Sequence, residues 1–190
     1  MILRKVLAVA LCFTATAVVV KAGAADAPKN APINACALLS DAEVSAAVGS
    51  KVTAGERKDA GDVSGKGDVG KGTYSSTCFW RFVTDGKEQP NDPNKPMGGA
   101  SFAILNAMQW PAGSGEAKKF LESFYDAAKN GVIDQTPVAL KIADDAIWWG
   151  DGVAVRKGDR SFGISVHIPD QRPKLRAMEE ALAKKIAPRL

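Results

Sequence analysis

The chain has few of the side chains that most enzyme chemistry uses. Its 190 residues hold one histidine, His167, three cysteines and two tyrosines. A lone histidine cannot build a multi-histidine metal centre, so no metal is expected. No apolar run reaches the ~20 residues a helix needs to cross a bilayer core. No clustered basic face marks a nucleic-acid footprint. A hydrophobic content of 46% excludes an unfolded chain. Gly-x-Ser-x-Gly, the nucleophile elbow of many hydrolases, is also missing.

What is present begins with the first 24 residues. Arg4 and Lys5 precede an apolar run from Val6 to Val20, and Ala22-Gly23-Ala24 follows. That order is the pattern of an export signal cleaved after small residues. Cys12 lies inside the run after Leu11, which is too large for a lipid-attachment signal. Residues 25–34 then read as a linker, and residues 35–190 as one domain of ordinary size. The leader also distorts the charge. The whole chain has 25 Lys and Arg against 21 Asp and Glu; without Arg4, Lys5 and Lys21 the ratio is 22 to 21. The expected location is therefore periplasmic or secreted, with no stable membrane span after cleavage.

Export leaves two cysteines, Cys36 and Cys78, in an oxidising compartment, where an even pair bonds. With both committed, too few ligands remain for zinc. Ser40-Asp41-Ala42-Glu43 reads as a capping box, with Leu39 and Val44 as a staple and Gly49 as the stop. This predicts a helix from about Asp41 to Val48. Residues 54–76 contain many glycines and charges and no apolar period, so they read as a mobile loop.

Residues Thr77 to Val83 alternate, with Cys78, Trp80 and Phe82 on one face and Phe79, Arg81 and Val83 on the other. A second strand, Ala100 to Met108, is expected to pair with them. Ser114 is placed to cap a helix to about Asn130, with Ala117, Phe120, Leu121, Phe124 and Ala128 as its stripe. A three-strand meander follows, turning at Gly150-Asp151-Gly152 and Gly158-Asp159. Its last strand directs Phe162, Ile164, Val166 and Ile168 to the core. Pro173 opens a final helix with Leu175, Met178, Leu182 and Ile186 buried. Hairpins and a meander without βαβ repeats predict an α+β fold. Its expected form is a single antiparallel sheet with helices packed mainly on one face, and one disulfide.

The run Cys36-Ala37-Leu38-Leu39-Ser40 with Glu43 and Gly49, followed by Cys78-Phe79-Trp80, resembles a family of small secreted proteins. These are mostly actinobacterial lipoproteins described as a domain of unknown function. They open on Cys-x-Leu-Leu-Ser/Thr-x-x-Glu and carry a later Cys-x-Trp. The stretch from Val138 to Val166 resembles their second half, with Ala143 standing where the family usually has glycine. The resemblance implies a cell-envelope location and the Cys36–Cys78 bond. It brings no activity. The chain departs from the family in lacking a lipobox and in its long spacer between the cysteines.

Several motifs come near a chemical site and fall short. Gly65-x4-Gly70-Lys71 has Gly72 where a phosphate loop needs a magnesium-binding hydroxyl. Asp62, Ser64 and Lys66 parody a calcium loop, with a lysine where a ligand belongs. Asp144 and Asp145 could be an acid/base pair, but no partner is evident. Ser165 and His167 share a strand face, about 7 Å apart by the strand rise.

Aromatic residues are the best lead. Trp148 and Trp149 are adjacent on a strand and so face opposite ways. Trp110 lies in a loop at a strand end, and Arg156 is expected to frame an outer patch. The candidate binding residues are Trp110, Trp148, Trp149, Arg156 and His167. No catalytic residue, cofactor or metal is assigned. The expected function is an envelope binding module for a protein partner or a small-molecule ligand, and more a binder than an enzyme. The alternatives are a hydrolase using Ser165 and His167, and a structural or stress-related envelope protein.

Overall fold

A computed structural model describes residues 32–63, 72–84, 87–88, 99–169 and 172–190. The expected leader, the linker as far as residue 31, most of the glycine–lysine loop motif and most of the proline-rich connection lie outside the described residues.

The chain from Pro32 to Leu190 opens with α1 (Ala35–Leu38) and α2 (Asp41–Val48). Asn34 and Ser40 cap them; the Ser40 hydroxyl accepts from the Glu43 N–H, and the Glu43 carboxylate accepts from the Ser40 N–H. Both halves of the capping box form. Gly49 stops α2 in the left-handed region, at φ 68°. The strands β1 (Glu56–Asp62) and β2 (Tyr74–Arg81) follow, then a two-stranded hairpin of β3 (Val83–Thr84) and β4 (Lys87–Glu88). Next come β5 (Phe102–Gln109), α3 (Glu116–Lys129), β6 (Val138–Leu140), β7 (Asp145–Trp148), β8 (Val153–Lys157) and β9 (Arg160–His167). The chain ends in α4 (Arg172–Ile186) and one 3-10 turn, Ala187–Arg189.

Seven strands make one antiparallel sheet in the order β1-β2-β5-β9-β8-β7-β6. The register puts Cys78, Leu105, Ile164 and Val153 in one row. Side chains alternate between faces, so this row belongs to the inner face with Trp80, Ala103, Phe162, Val166, Val155 and Ala146. These pack on Leu38, Leu39, Val44, Leu182 and Ile186 in the main core. Contacts of α1, α2 and α4 with one another and with the central strands close this layer. The C-terminus is tied back to its start: the Arg189 guanidinium donates to both Glu43 carboxylate oxygens, at 2.7 and 2.8 Å, and to the Leu38 carbonyl.

Cys36 and Cys78 are bonded, with Cα atoms 5.0 Å apart. Cys78 is fully buried, and Gly55 lies so close that a Cβ there would sit 2.8 Å from the Cys78 sulfur. The bond thus joins the first helix to the sheet at a point with no spare room.

Two expectations need correction. The stretch 54–76 is not all loop, because β1 occupies Glu56–Asp62 and β2 starts at Tyr74. β1 is an edge strand exposed on both faces, so it needs no apolar residues and leaves no periodic signal. Helices pack mainly on the inner face, as expected; α3 alone packs on β7 and β8 from the outer side, burying Leu121, Ala117, Ile147 and Ala154. Ser114 is not the cap of α3. Gly115 takes that position at φ 74°, while the Ser114 hydroxyl accepts from the Glu116 N–H.

Candidate functional site

The outer face of the sheet has two halves. Over β7 and β8 it is roofed by α3. Along the roof runs a ladder of four rings, Trp110, Phe120, Phe124 and Trp149, with successive centroids 5.8, 5.4 and 5.6 Å apart. The stripe of α3 supplies the two phenylalanines because residues four apart share a helix face. Trp110 is buried at one end, its indole N–H donating to the Ser161 hydroxyl at 2.9 Å. Trp149 stands half-buried at the other end.

The other half lies over β2, β5 and β9. Here Phe79, Phe102 and His167 stand in a stacked row, each ring 5.1 Å from the next. Cross-strand register makes the row: Phe102 is opposite His167, and Phe79 is the diagonal neighbour of Phe102. The Arg81 guanidinium and the Lys58 ammonium lie over Phe79, at 5.1 and 5.8 Å from its centroid. Both cations also pair with Glu56. Phe79, Ile104, Ser165 and His167 are half-buried.

Gly152 joins the two halves. A Cβ there would sit 2.4 Å from the Ser165 hydroxyl oxygen, 2.8 Å from the Ile164 carbonyl and 3.2 Å from the Trp149 indole nitrogen. Only glycine lets Trp149 and Ser165 close on this point. Among the described residues no hydrogen bond engages the Ser165 hydroxyl or the Trp149 indole N–H. Behind Trp149 lies a cavity of about 120 Å³, walled by Ile133, Asp134, Gln135 and Asp151.

The five residues singled out from the sequence therefore separate. Trp149 and His167 come to one end of the outer face, with Ser165 between them. Trp110 lies beneath Phe120 at the far end of α3. Trp148 points to the inner face, where its indole N–H donates to Glu179 at 3.0 Å and Arg176 covers its ring. Arg156 is held by Asp145 at 2.8 Å and by Asp144. Asp144 also accepts from the Gly158 N–H at 2.7 Å. The two aspartates do have a partner, and together they fasten the β8–β9 turn.

Glu179 is 1% exposed, and its carboxylate accepts from Trp148 and from the Val166 N–H. Burial pushes its carboxyl above the ordinary range against the pull of these two donors. It fills the place of a strand partner beyond the end of β8.

Phe79, Phe102, Lys58 and Arg81 were not among the residues read as binding. Alternation had already set Phe79 and Arg81 off the core face. What was missing was the register that stacks them with His167, and the strand that carries Lys58. No hydrogen bond joins Ser165 to His167 among the described residues, whose imidazole instead stacks on Phe102. No cluster of three or more His, Cys, Asp or Glu is placed to hold a metal among the described residues, and no helix there is long and apolar enough to cross a membrane. No protein-family model, curated protein or solved structure matches the chain.

Proposed function

We propose that the protein is an exported binding module of the cell envelope whose contact surface is the open half of the outer sheet face. The row of Phe79, Phe102 and His167 forms its floor. Ser165 and Trp149 offer hydrogen-bonding groups at one side, and Lys58 and Arg81 offer charge at the other. Its ligand is a protein partner or a small molecule. One observation carries the reading: three stacked rings lie beside a hydroxyl and an indole N–H that no hydrogen bond among the described residues engages. Half-buried aromatic side chains with a polar rim are the usual anchors of recognition. The disulfide supports an oxidising location.

The test is native mass spectrometry of the disulfide-bonded protein purified gently from its producing cells. A reproducible added mass is expected, either a small ligand or a second protein. His167→Ala and Phe79→Ser variants should lose it, whereas Trp148→Phe, altered on the opposite face, should keep it. A bare chain in every preparation, or an added mass that survives both outer-face changes, overturns the proposal.

A further inference from the structure

The two cysteines of the disulfide sit in unequal surroundings. Cys78 lies on the inner face of β2 and is 0% exposed. Gly55 presses on its sulfur: a Cβ there would sit 2.8 Å from the Cys78 sulfur and 2.8 Å from the Trp80 indole nitrogen. Cys36, in α1, is only partly buried, and Ala37 beside it is exposed. Exchange with a thiol needs a thiolate to reach the sulfur it attacks. At Cys78 the core fills that approach.

Cys36 also keeps its place by contacts other than the bond. On one side, the Ala35 N–H donates to the buried Ser76 hydroxyl at 2.9 Å, and Ser76 stands two residues before Cys78 on the same strand. On the other side, the Arg189 guanidinium donates to the Leu38 carbonyl at 3.0 Å. Ala35 and Leu38 both belong to the main core. α1 is therefore pinned before and after Cys36, and opening the bond removes none of these contacts.

From this asymmetry we infer that the folded domain exchanges its disulfide with thiols through Cys36 alone, opening and reclosing the bond without unfolding. The partner is a dithiol oxidoreductase. Its first thiolate attacks the Cys36 sulfur, and the Cys36–Cys78 bond breaks as a mixed disulfide forms. Cys78 leaves with the electron pair and takes up a proton. The second thiolate of the partner then attacks the partner's own sulfur in the mixed disulfide. Cys36 is released with that electron pair and is protonated in turn. Two electrons have passed from the partner, now a disulfide, to the cysteine pair. The reverse order closes the bond: the Cys36 thiolate attacks the partner's disulfide, and the Cys78 thiolate then displaces the partner from Cys36. In both directions the buried Cys78 reacts only with Cys36.

The test uses the oxidised protein and a thioredoxin whose second active-site cysteine is replaced by serine, so that the mixed disulfide persists. At neutral pH without denaturant, a covalent one-to-one adduct should form. After an acid quench, free thiols are capped with N-ethylmaleimide and the peptides are mapped by mass. The link should fall on Cys36 and the cap on Cys78. Single variants separate the two sulfurs independently. While both are folded, the Cys36 thiol of Cys78→Ala should react with Ellman's reagent roughly 100-fold faster than the Cys78 thiol of Cys36→Ala, because a buried structural thiol is inert. In guanidinium the two rates should converge. A link on Cys78, an adduct that forms only where denaturant unfolds the domain, or equal rates in the folded single variants each overturns the inference.

Discussion

Removing the Cys36–Cys78 bond is the most direct perturbation of this fold. The bond spans 42 residues of sequence and encloses α2, β1 and the start of β2. In the unfolded chain it forbids every conformation in which those ends separate. For a loop of this length the chain-entropy relation gives about 4 kcal/mol at room temperature. Truncating both cysteines to alanine also removes two sulfur atoms from a tightly packed point, which adds on the order of 1 kcal/mol. For a domain of this size each kcal/mol moves the melting temperature by roughly 2–4 °C. The Cys36→Ala/Cys78→Ala variant should therefore melt roughly 10–20 °C below the oxidised protein. Guanidinium titration checks the mechanism as well as the size. An unfolded chain freed of its cross-link exposes more surface, so the denaturant slope should rise as the midpoint falls. A loss under about 1 kcal/mol with an unchanged slope would refute the loop-entropy reasoning.

Two smaller perturbations test local features. Ala143 is a non-glycine residue with positive φ, at 51°, and its side chain is exposed. Alanine in the left-handed region costs about 1–2 kcal/mol, and glycine gives back roughly half through its freer unfolded chain. Ala143→Gly should thus raise stability by about 0.5–1 kcal/mol in a chemical melt; a loss of stability would contradict the strain. The second concerns acid. The Arg189 guanidinium, with help from Ser40, holds the Glu43 carboxyl at about 2 instead of 4.5. A lowered folded pKa contributes stability above 4.5 that is lost as pH falls toward 2. The Glu43 side chain is 23% exposed and solvent screens the pair, so the contribution is on the order of 1 kcal/mol. Glu43→Gln should flatten the stability-against-pH curve in that window, and an unchanged curve would remove the Glu43–Arg189 pair from the account.

How much of this was legible beforehand depended on burial. The Ser40–Glu43 box, the α3 stripe and the alternation of β9 were readable because one face of each element meets the core and the other does not. β1 was invisible for the opposite reason: it buries neither face, and its place is fixed by backbone pairing to β2. The left-handed φ of Ala143 was not legible, because alanine at that position carries none of the turn signal a glycine would. Trp148 and Trp149 were rightly assigned to opposite faces, but what covers each depended on α3 and α4, elements distant in sequence. Cross-strand neighbours such as Phe79, Phe102 and His167 come from three separate strands. Periodicity says which face a residue occupies; only register says which residues touch.

The two tryptophans also show how the two faces of the sheet are covered. At the β7 end the sheet is covered on both sides, and each side has a tryptophan sealing it. Trp148 closes the inner layer against α4 through a carboxylate, Glu179, that is buried without a cation among its hydrogen-bond partners. Trp149 closes the outer layer against Phe124. One helix, α3, is about 21 Å long by its 14 residues and the rise of 1.5 Å per residue. It cannot roof seven strands spaced about 4.8 Å apart as well as it roofs two. Over β2, β5 and β9 the outer face carries Phe79, Phe102 and His167 stacked on one another, with no helix over them among the described residues. Phe102, the central ring, is buried, while Phe79 and His167 on either side of it are half-buried, so the row grades from packing to surface across three strands.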